Sequence, residues 1–433
     1  MVGIRMSGNA DSKSNGGYYR LMLYAALFGA FSSLLTAGYI TLYNQGVNFF
    51  GQLNLFLFNI NFWPLVLLSV AGVFIGLAIK FFGQHGGLGV AQRQYAQTGR
   101  LNYRNLPSIL LQGFIALWSG AAVGPEGPLC FLLGGVGSFV SEKLKLQKDD
   151  VQVLVYSAIA GGFGGFFGSP VLGAIGALEY MFIKELDFNR HLIPGLIAAS
   201  VGYGVYFAIL QTSYLGIYSF PNFASLRLVD LVWAVLVGVI AGVIGIVFKV
   251  IFGIMNKAFG RLNKRPVGRA IIGGVIIGLI GSFLPLTLYS GQNQLLQIIH
   301  NPATFGIGIL LLMMFVKILL TSTSFASGFE AGPIFPLLFI GGTLGLALSE
   351  ILTFIPQGVG VLAGMAGVAC AAFPLPLTIT LLLGLMGGQT DLLPVIAIGA
   401  VTGFVVSKAL TPLLPKQGKQ SAGGSNDKPS QSS

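Results

Sequence analysis

Four long stretches of this chain carry no formal charge. Asp, Glu, Lys and Arg are absent between Arg20 and Lys80, from His191 to Leu226, from Ala270 to Val316 and from Ile351 to Thr390. About 20 apolar residues of helix cross a hydrocarbon core ~30 Å thick, so several of these blocks hold more than one span. A chain that is 54% hydrophobic and 9% charged falls far from the roughly 25% charge of soluble domains. The apolar runs do not alternate with period two, which argues against a barrel of strands. The sequence therefore predicts an all-α polytopic membrane protein.

Glycine and proline refine that expectation. Sixty-three glycines and 19 prolines suit helices that pack closely or break inside protein, where neighbours satisfy the freed backbone groups. Many tilted, discontinuous helices are expected rather than a plain bundle. The net charge of +11 is not a nucleic-acid footprint. The basic residues sit in short polar stretches between apolar blocks, such as Arg93, Arg100 and Arg104, or Lys257, Arg261, Lys264, Arg265 and Arg269. Short Lys/Arg-rich loops stay on the cytoplasmic side, and both polar ends are expected there too. No cleavable signal is expected, because a polar arm precedes the first apolar block. Cys130 and Cys370 lie in apolar surroundings and read as buried, inert thiols. The three histidines are scattered and form no metal set.

The body contains an internal repeat. Ser119–Glu142 reads SGAAVGPEGPLCFLLGGVGSFVSE and Ser327–Glu350 reads SGFEAGPIFPLLFIGGTLGLALSE; eleven of the 24 aligned positions are identical without a gap. Each copy is followed, 46 or 44 residues after its Gly124 or Gly332, by a further helix start at Pro170 or Pro376. The expected organisation is a disordered arm over 1–20, a first transmembrane half over 21–212, a linker over 213–228, a second half over 229–413 and a disordered tail over 414–433. Paired halves with interrupted helices are a transporter plan, with the binding site between the halves at the midplane.

The shared Gly-Pro-x-x-Pro pattern explains how such a site works. In Gly124–Pro128 and Gly332–Pro336 the Gly-Pro pair permits a sharp turn, and proline at a helix start gives up an amide hydrogen that has no partner there. Pro125, Pro128, Pro333 and Pro336 are thus read as helix-start turns. The first amides of each helix are unpaired and, with the helix dipole, carry about half a positive charge. Two such ends meeting in mid-bilayer bind a small anion without a full positive charge and release it again. The amides expected there belong to Glu126, Gly127, Ile334 and Phe335. Glu126 is also a carboxylate at membrane depth, costly enough to be a functional candidate; its side chain can occupy the anion site and leave when protonated or displaced. Glu179 and Tyr180 read as an interface pair ahead of the alternative, a proton path, and Lys317, Glu330 and Asp391 as residues of helix ends. An enzyme would need a cluster of ionisable residues at one depth and a receptor larger polar loops; the sequence offers neither.

These motifs resemble the CLC family of chloride channels and proton-coupled chloride transporters over about residues 70–410. GPEGP at Gly124–Pro128 is similar to the family's GREGP, and SGFEAGPIFP at Ser327–Pro336 to the segment ending in GxFxP. PVLGAIGALE after Pro170 and AIIGGVIIGLIGSFLP at Ala270–Pro285 fit other family segments. The resemblance implies two inverted halves, a homodimer in the lipid bilayer with one pore per subunit, chloride or a similar anion as cargo, no cofactor, Glu126 as the gating glutamate, and anion ligation by the amides after Gly124 and Gly332. The departures also carry meaning. GLGVA at Gly87–Ala91 stands where the family has GSGIP, so Leu88 replaces the ligating hydroxyl. Gln389, or Thr390 in the other register, takes the place of the central tyrosine. Tyr180 takes the place of the exchangers' inner glutamate and Glu179 the preceding one, as in channels. The resemblance thus implies gated passive conduction, with proton-coupled exchange of chloride, fluoride or nitrate as the alternative.

Overall fold

A computed structural model of the chain describes residues 15–53, 62–84, 87–181, 188–211, 217–218, 225–301, 304–388 and 390–413. Among them there is no strand, and one isolated backbone bridge joins Gly124 to Gly332. The first half contains α1 (Asn15–Leu53), α2 (Trp63–Phe82), α3 (Leu88–Thr98), α4 (Leu106–Ser119), α5 (Glu126–Lys143), α6 (Lys148–Phe166), α7 (Pro170–Tyr180) and α8 (Ile193–Leu210). The second contains α9 (Leu228–Gly260), α10 (Pro266–Phe283), α11 (Gln292–His300), α12 (Gly306–Ser327), α13 (Ile334–Ile351), α14 (Gln357–Ala372), α15 (Pro376–Gly387) and α16 (Leu393–Leu410). Among the described residues eight helices are long and apolar enough to cross a bilayer; others, such as α7 and α15 at 11 and 12 residues, are too short. The protein is an integral membrane protein of interrupted helices, as its composition predicts.

One boundary differs from expectation. The first helix begins at Asn15, so residues 15–20 continue the helix rather than belonging to a disordered arm; Tyr18, Tyr19 and the Arg20 side chain over the Tyr24 ring give that turn contacts the polar composition did not suggest. The tail over 414–433, like Gln389, lies outside the described residues. The junction of the halves falls between Leu210 and Leu228, close to the expected linker.

Glycines set the helix spacing. α2 and α10 run antiparallel in tight contact: a Cβ on Gly72 would meet the Ala270 carbonyl oxygen at 2.6 Å, and one on Gly278 would meet Leu65 Cα at 2.6 Å. Small residues allow this approach, and dispersion between close backbones replaces the hydrophobic drive that lipid does not supply.

The contacts also fix the relative direction of the halves. One face of the protein is basic, carrying Lys80 at the end of α2, Lys143 at the end of α5, and Lys264 and Arg265 before α10. The end of α5 lies on that face, where Tyr103 donates to Glu142 (3.2 Å) and the Leu101 amide to Ser138 (2.9 Å). α13 runs the other way. Its Phe339 packs against Gly291 and its Gly342 against Leu295, both beyond the far end of α10. Helices related by the repeat thus point in opposite directions, and the repeat is inverted. Two halves of like sequence present their helix starts to each other from opposite sides of the membrane.

Candidate anion-binding site

The two Gly-Pro turns meet at the centre of the protein. The Gly124 amide donates to the Gly332 carbonyl and the Gly332 amide to the Gly124 carbonyl, both at 2.6 Å. This reciprocal pair joins the halves through backbone alone. α5 starts at Glu126 and α13 at Ile334, so Pro125 and Pro333 stand just before the first turn, with helical ψ of −14° and −12°. That is one position earlier than the sequence reading had them, within the usual uncertainty of helix ends. Pro128 and Pro336 lie inside the first turns, where a missing amide costs no hydrogen bond. Tyr39 of α1 donates its hydroxyl to the Pro125 carbonyl (3.0 Å) and pins the first turn from outside the repeat. Nothing in the sequence pointed to Tyr39: it is 86 residues from its partner and no motif surrounds it.

Glu126 is fully buried. Its Oε1 accepts from the Ile334 amide at 2.6 Å, and the amides of Glu126 itself and Phe335 also act on the carboxyl group. The carboxylate of one half therefore rests on the helix start of the other, where charge-assisted bonds to backbone amides are strongest. Oε2 has no hydrogen-bond partner among the described residues. The carboxyl lies directly over the paired glycines: a Cβ on Gly124 would come within 2.9 Å of Glu126 Cδ, and one on Gly332 would overlap the same group. Any side chain at either position would expel the carboxyl, which gives a physical reason for glycine there. Gly127, Ile334 and Phe335 are all buried beside it, as expected for the amide set. Leu88 opens α3 on the basic side, next to Gly87.

Gly87 helps line a small cleft with Ile109, Gln112, Gly127, Pro128, Phe131, Glu330 and Ala331. Glu330 is not at the end of a helix; it sits in the connection before α13. Gln84 Nε2 donates to its Oε1, and Arg269 Nη2 donates to Gln84 Oε1 (2.6 Å). This carboxyl and its buried arginine thus border the basic-side approach to Gly127. Lys317 was also expected near a helix end, but lies in the middle of α12 and is fully buried. Its ammonium donates to the carbonyls of Thr287 (2.9 Å), Leu288 (3.2 Å) and Tyr289 (2.6 Å) and faces the Phe339 ring at 5.0 Å. It closes the turn after α10. Asp391 lies in a short 3₁₀ turn before α16.

Glu179 and Tyr180 separate in the structure. Glu179 Oε1 and Oε2 accept from the amides of Leu377 (3.1 Å) and Thr378 (2.6 Å), so the end of α7 caps the start of α15, its counterpart in the repeat. Tyr180 points inward, fully buried, with its ring edge-on to Phe163 at 5.3 Å. Cys130 and Cys370 are buried free thiols.

A profile described as voltage gated chloride channel matches residues 71–408. The chain belongs to the voltage gated chloride channel family. It is 27% identical over 365 residues to a "Chloride/fluoride channel protein" of Pseudomonas syringae pv. tomato, covering 80% of this chain and 76% of that one. It is 29% identical to the putative ion-transport protein YfeO of Salmonella newport, covering 78% and 81% of the two chains. Among solved structures it is similar in fold to a CLC-type fluoride/proton antiporter (TM-score 0.77, 19% identity, 93% and 98% covered). It is equally similar to a slow cyanobacterial Cl⁻/H⁺ antiporter (TM-score 0.77, 21% identity, 90% and 95% covered). As a member of this family the protein is an anion transporter of the lipid bilayer and not an enzyme.

Proposed function

We propose that this protein conducts chloride or a similar small anion passively, with Glu126 as the gate. One observation supports this above the rest: the Glu126 carboxylate sits on the Ile334 amide, at the meeting point of two opposed helix starts. A carboxylate there stands in for the cargo, since both are small anions held by partial charges. Protonation removes its charge, weakens its hold on the amides and frees them for an incoming anion. The neutral Tyr180 at the inner position, and the capping rather than relaying role of Glu179, favour conduction without a bound proton carrier.

The second reading is proton-coupled antiport of chloride or fluoride. It is favoured by the fold shared with two antiporters and by the second carboxyl at Glu330. Purified protein in liposomes, with anion efflux and internal pH recorded together, separates the two. Anion flux that drives no proton movement fits the channel; proton uptake against its gradient, driven by an anion gradient, overturns it. Replacing Glu126 with Gln or Ala should remove the pH dependence of flux in either case. We also propose a homodimer in a bacterial cell membrane, with the basic face cytoplasmic by the positive-inside rule. Cross-linking in membranes and accessibility of single introduced cysteines check these two points.

A further inference from the structure

Far from the anion site, two neighbouring cations lie on the membrane-facing surface with no acid to neutralise them. Lys249 of α9 is partly buried, and its Nζ donates to Ser407 Oγ at 2.8 Å. Ser407 directs its own proton to the Ala371 carbonyl (2.8 Å), so its oxygen is free to receive the lysine. Among the described residues this is the one hydrogen bond of an ammonium that has three protons to give. Lys408, the next residue along from Ser407, is exposed in the last turn of α16, with its ammonium over the Phe404 ring at 5.5 Å. The two ammoniums repel each other. The ion pairs among the described residues are those of Arg190 with Asp149 and Asp150 and of Arg227 with Asp230, and neither lysine belongs to them. The chain after Leu413 brings one acid, Asp427, against Lys416, Lys419 and Lys428, so by charge it adds to the excess.

Depth identifies what meets them. α9 and α16 run parallel, with Gly238 packed on Thr402 and Gly242 on Val406, and α9 leads to the basic face at Arg261, Lys264 and Arg265. Its other end is marked by Asp230, paired with Arg227. Lys249 lies nineteen residues beyond Asp230, about 29 Å at 1.5 Å per residue, which is one hydrocarbon thickness. Both lysines therefore stand at headgroup level on the basic side, while the rest of α9 continues past them. Towards the middle of the bilayer, Val243 and Val405 are exposed on the same two helices. Cations at headgroup depth above an apolar helix surface match a phospholipid, and basic pockets between membrane helices on this side take anionic headgroups. A lysine that only snorkels needs no second cation beside it; two together are relieved by an anion shared between them.

We propose that Lys249 and Lys408 bind the phosphate of an anionic phospholipid in the basic-side leaflet, with its acyl chains along α9 and α16. The inference is independent of Glu126 and of how the anion path is gated. The experiment is native mass spectrometry of the purified full chain in detergent, titrated with palmitoyl-oleoyl phosphatidylglycerol and separately with the phosphatidylcholine of the same chains. Each lysine near an anionic headgroup is worth about fivefold in affinity. Lys249→Met and Lys408→Met should each weaken the tightest phosphatidylglycerol by that factor, and the two together by roughly twenty-five-fold. Arginine at both positions should bind like the parent, phosphatidylcholine should bind more weakly than phosphatidylglycerol to the parent, and Lys264→Met, the same charge change on the exposed basic face, should alter binding less than twofold. Thermal unfolding in lipid-free detergent checks that each variant is folded; if the double variant is not, the single variants decide. Loss in the lysine variants no greater than in Lys264→Met overturns the proposal and leaves two snorkelling side chains on a diffusely basic face. Displacement of the lipid by millimolar inorganic phosphate also overturns it, in favour of a site for free anions.

Discussion

Replacing Gly332 with Ala should open the gate without touching the gating residue. The nearest atoms to a Cβ at Gly332 all belong to the Glu126 carboxyl group, close enough to overlap it. Gly332 does not have a positive φ, so alanine is compatible with the backbone, and the reciprocal bonds to Gly124 use main-chain atoms only. The substitution therefore displaces a side-chain end rather than a helix. What is lost is the 2.6 Å bond from the Ile334 amide to Glu126 Oε1; a bond to a charged group contributes about 1.5–3 kcal/mol. At 1.36 kcal/mol per decade, occupancy of the site by the carboxylate falls roughly tenfold to a hundredfold. Anion efflux from liposomes at neutral pH should rise by a similar factor and lose most of its acid activation. Stability in thermal unfolding should fall by no more than about 3 kcal/mol, because the lost bond is offset in part by the roughly 0.4–1 kcal/mol that Gly→Ala contributes at a permitted φ. The double variant with Glu126→Ala should conduct no better than Glu126→Ala alone, because the carboxyl is then gone by two routes. Retention of wild-type acid activation in Gly332→Ala would refute the placement of the carboxyl. A double variant that conducts far less than Glu126→Ala would show that the added methyl plugs the path instead.

Three further outcomes follow from contacts elsewhere. Lys317→Met leaves three carbonyls of the turn after α10 without their shared donor; an unsatisfied buried acceptor costs about 1–3 kcal/mol, so thermal unfolding in detergent should move down by several degrees. Tyr39→Phe removes the hydroxyl on the Pro125 carbonyl, but the Leu129 amide still donates there, so the loss should be about 1 kcal/mol or less and read in the same melt. Glu179→Ala uncaps α15, lowering stability by about 1 kcal/mol as other lost caps do, while pH-dependent anion flux persists; loss of that dependence would return Glu179 to the proton path.

The sequence by itself determined the solvent, the repeat and the chemistry of the two helix starts. Charge-free blocks can lie only in lipid or protein, and a Gly-Pro turn repeated with its flanking helix has one economical use, namely to aim amides at an anion. Those are local properties, carried by composition and by residues within a turn of one another. The direction of one half relative to the other, the bond from the Ile334 amide to Glu126 across 208 positions, the pin from Tyr39 and the inward turn of Tyr180 were decided only by the packing of helices distant in sequence. Lys317 shows the same limit: nothing around it foretells that the carbonyls it closes belong to a turn some 30 residues earlier. Sequence patterns record what each helix needs along its own axis; which helix meets which is settled by where the small residues allow backbones to touch.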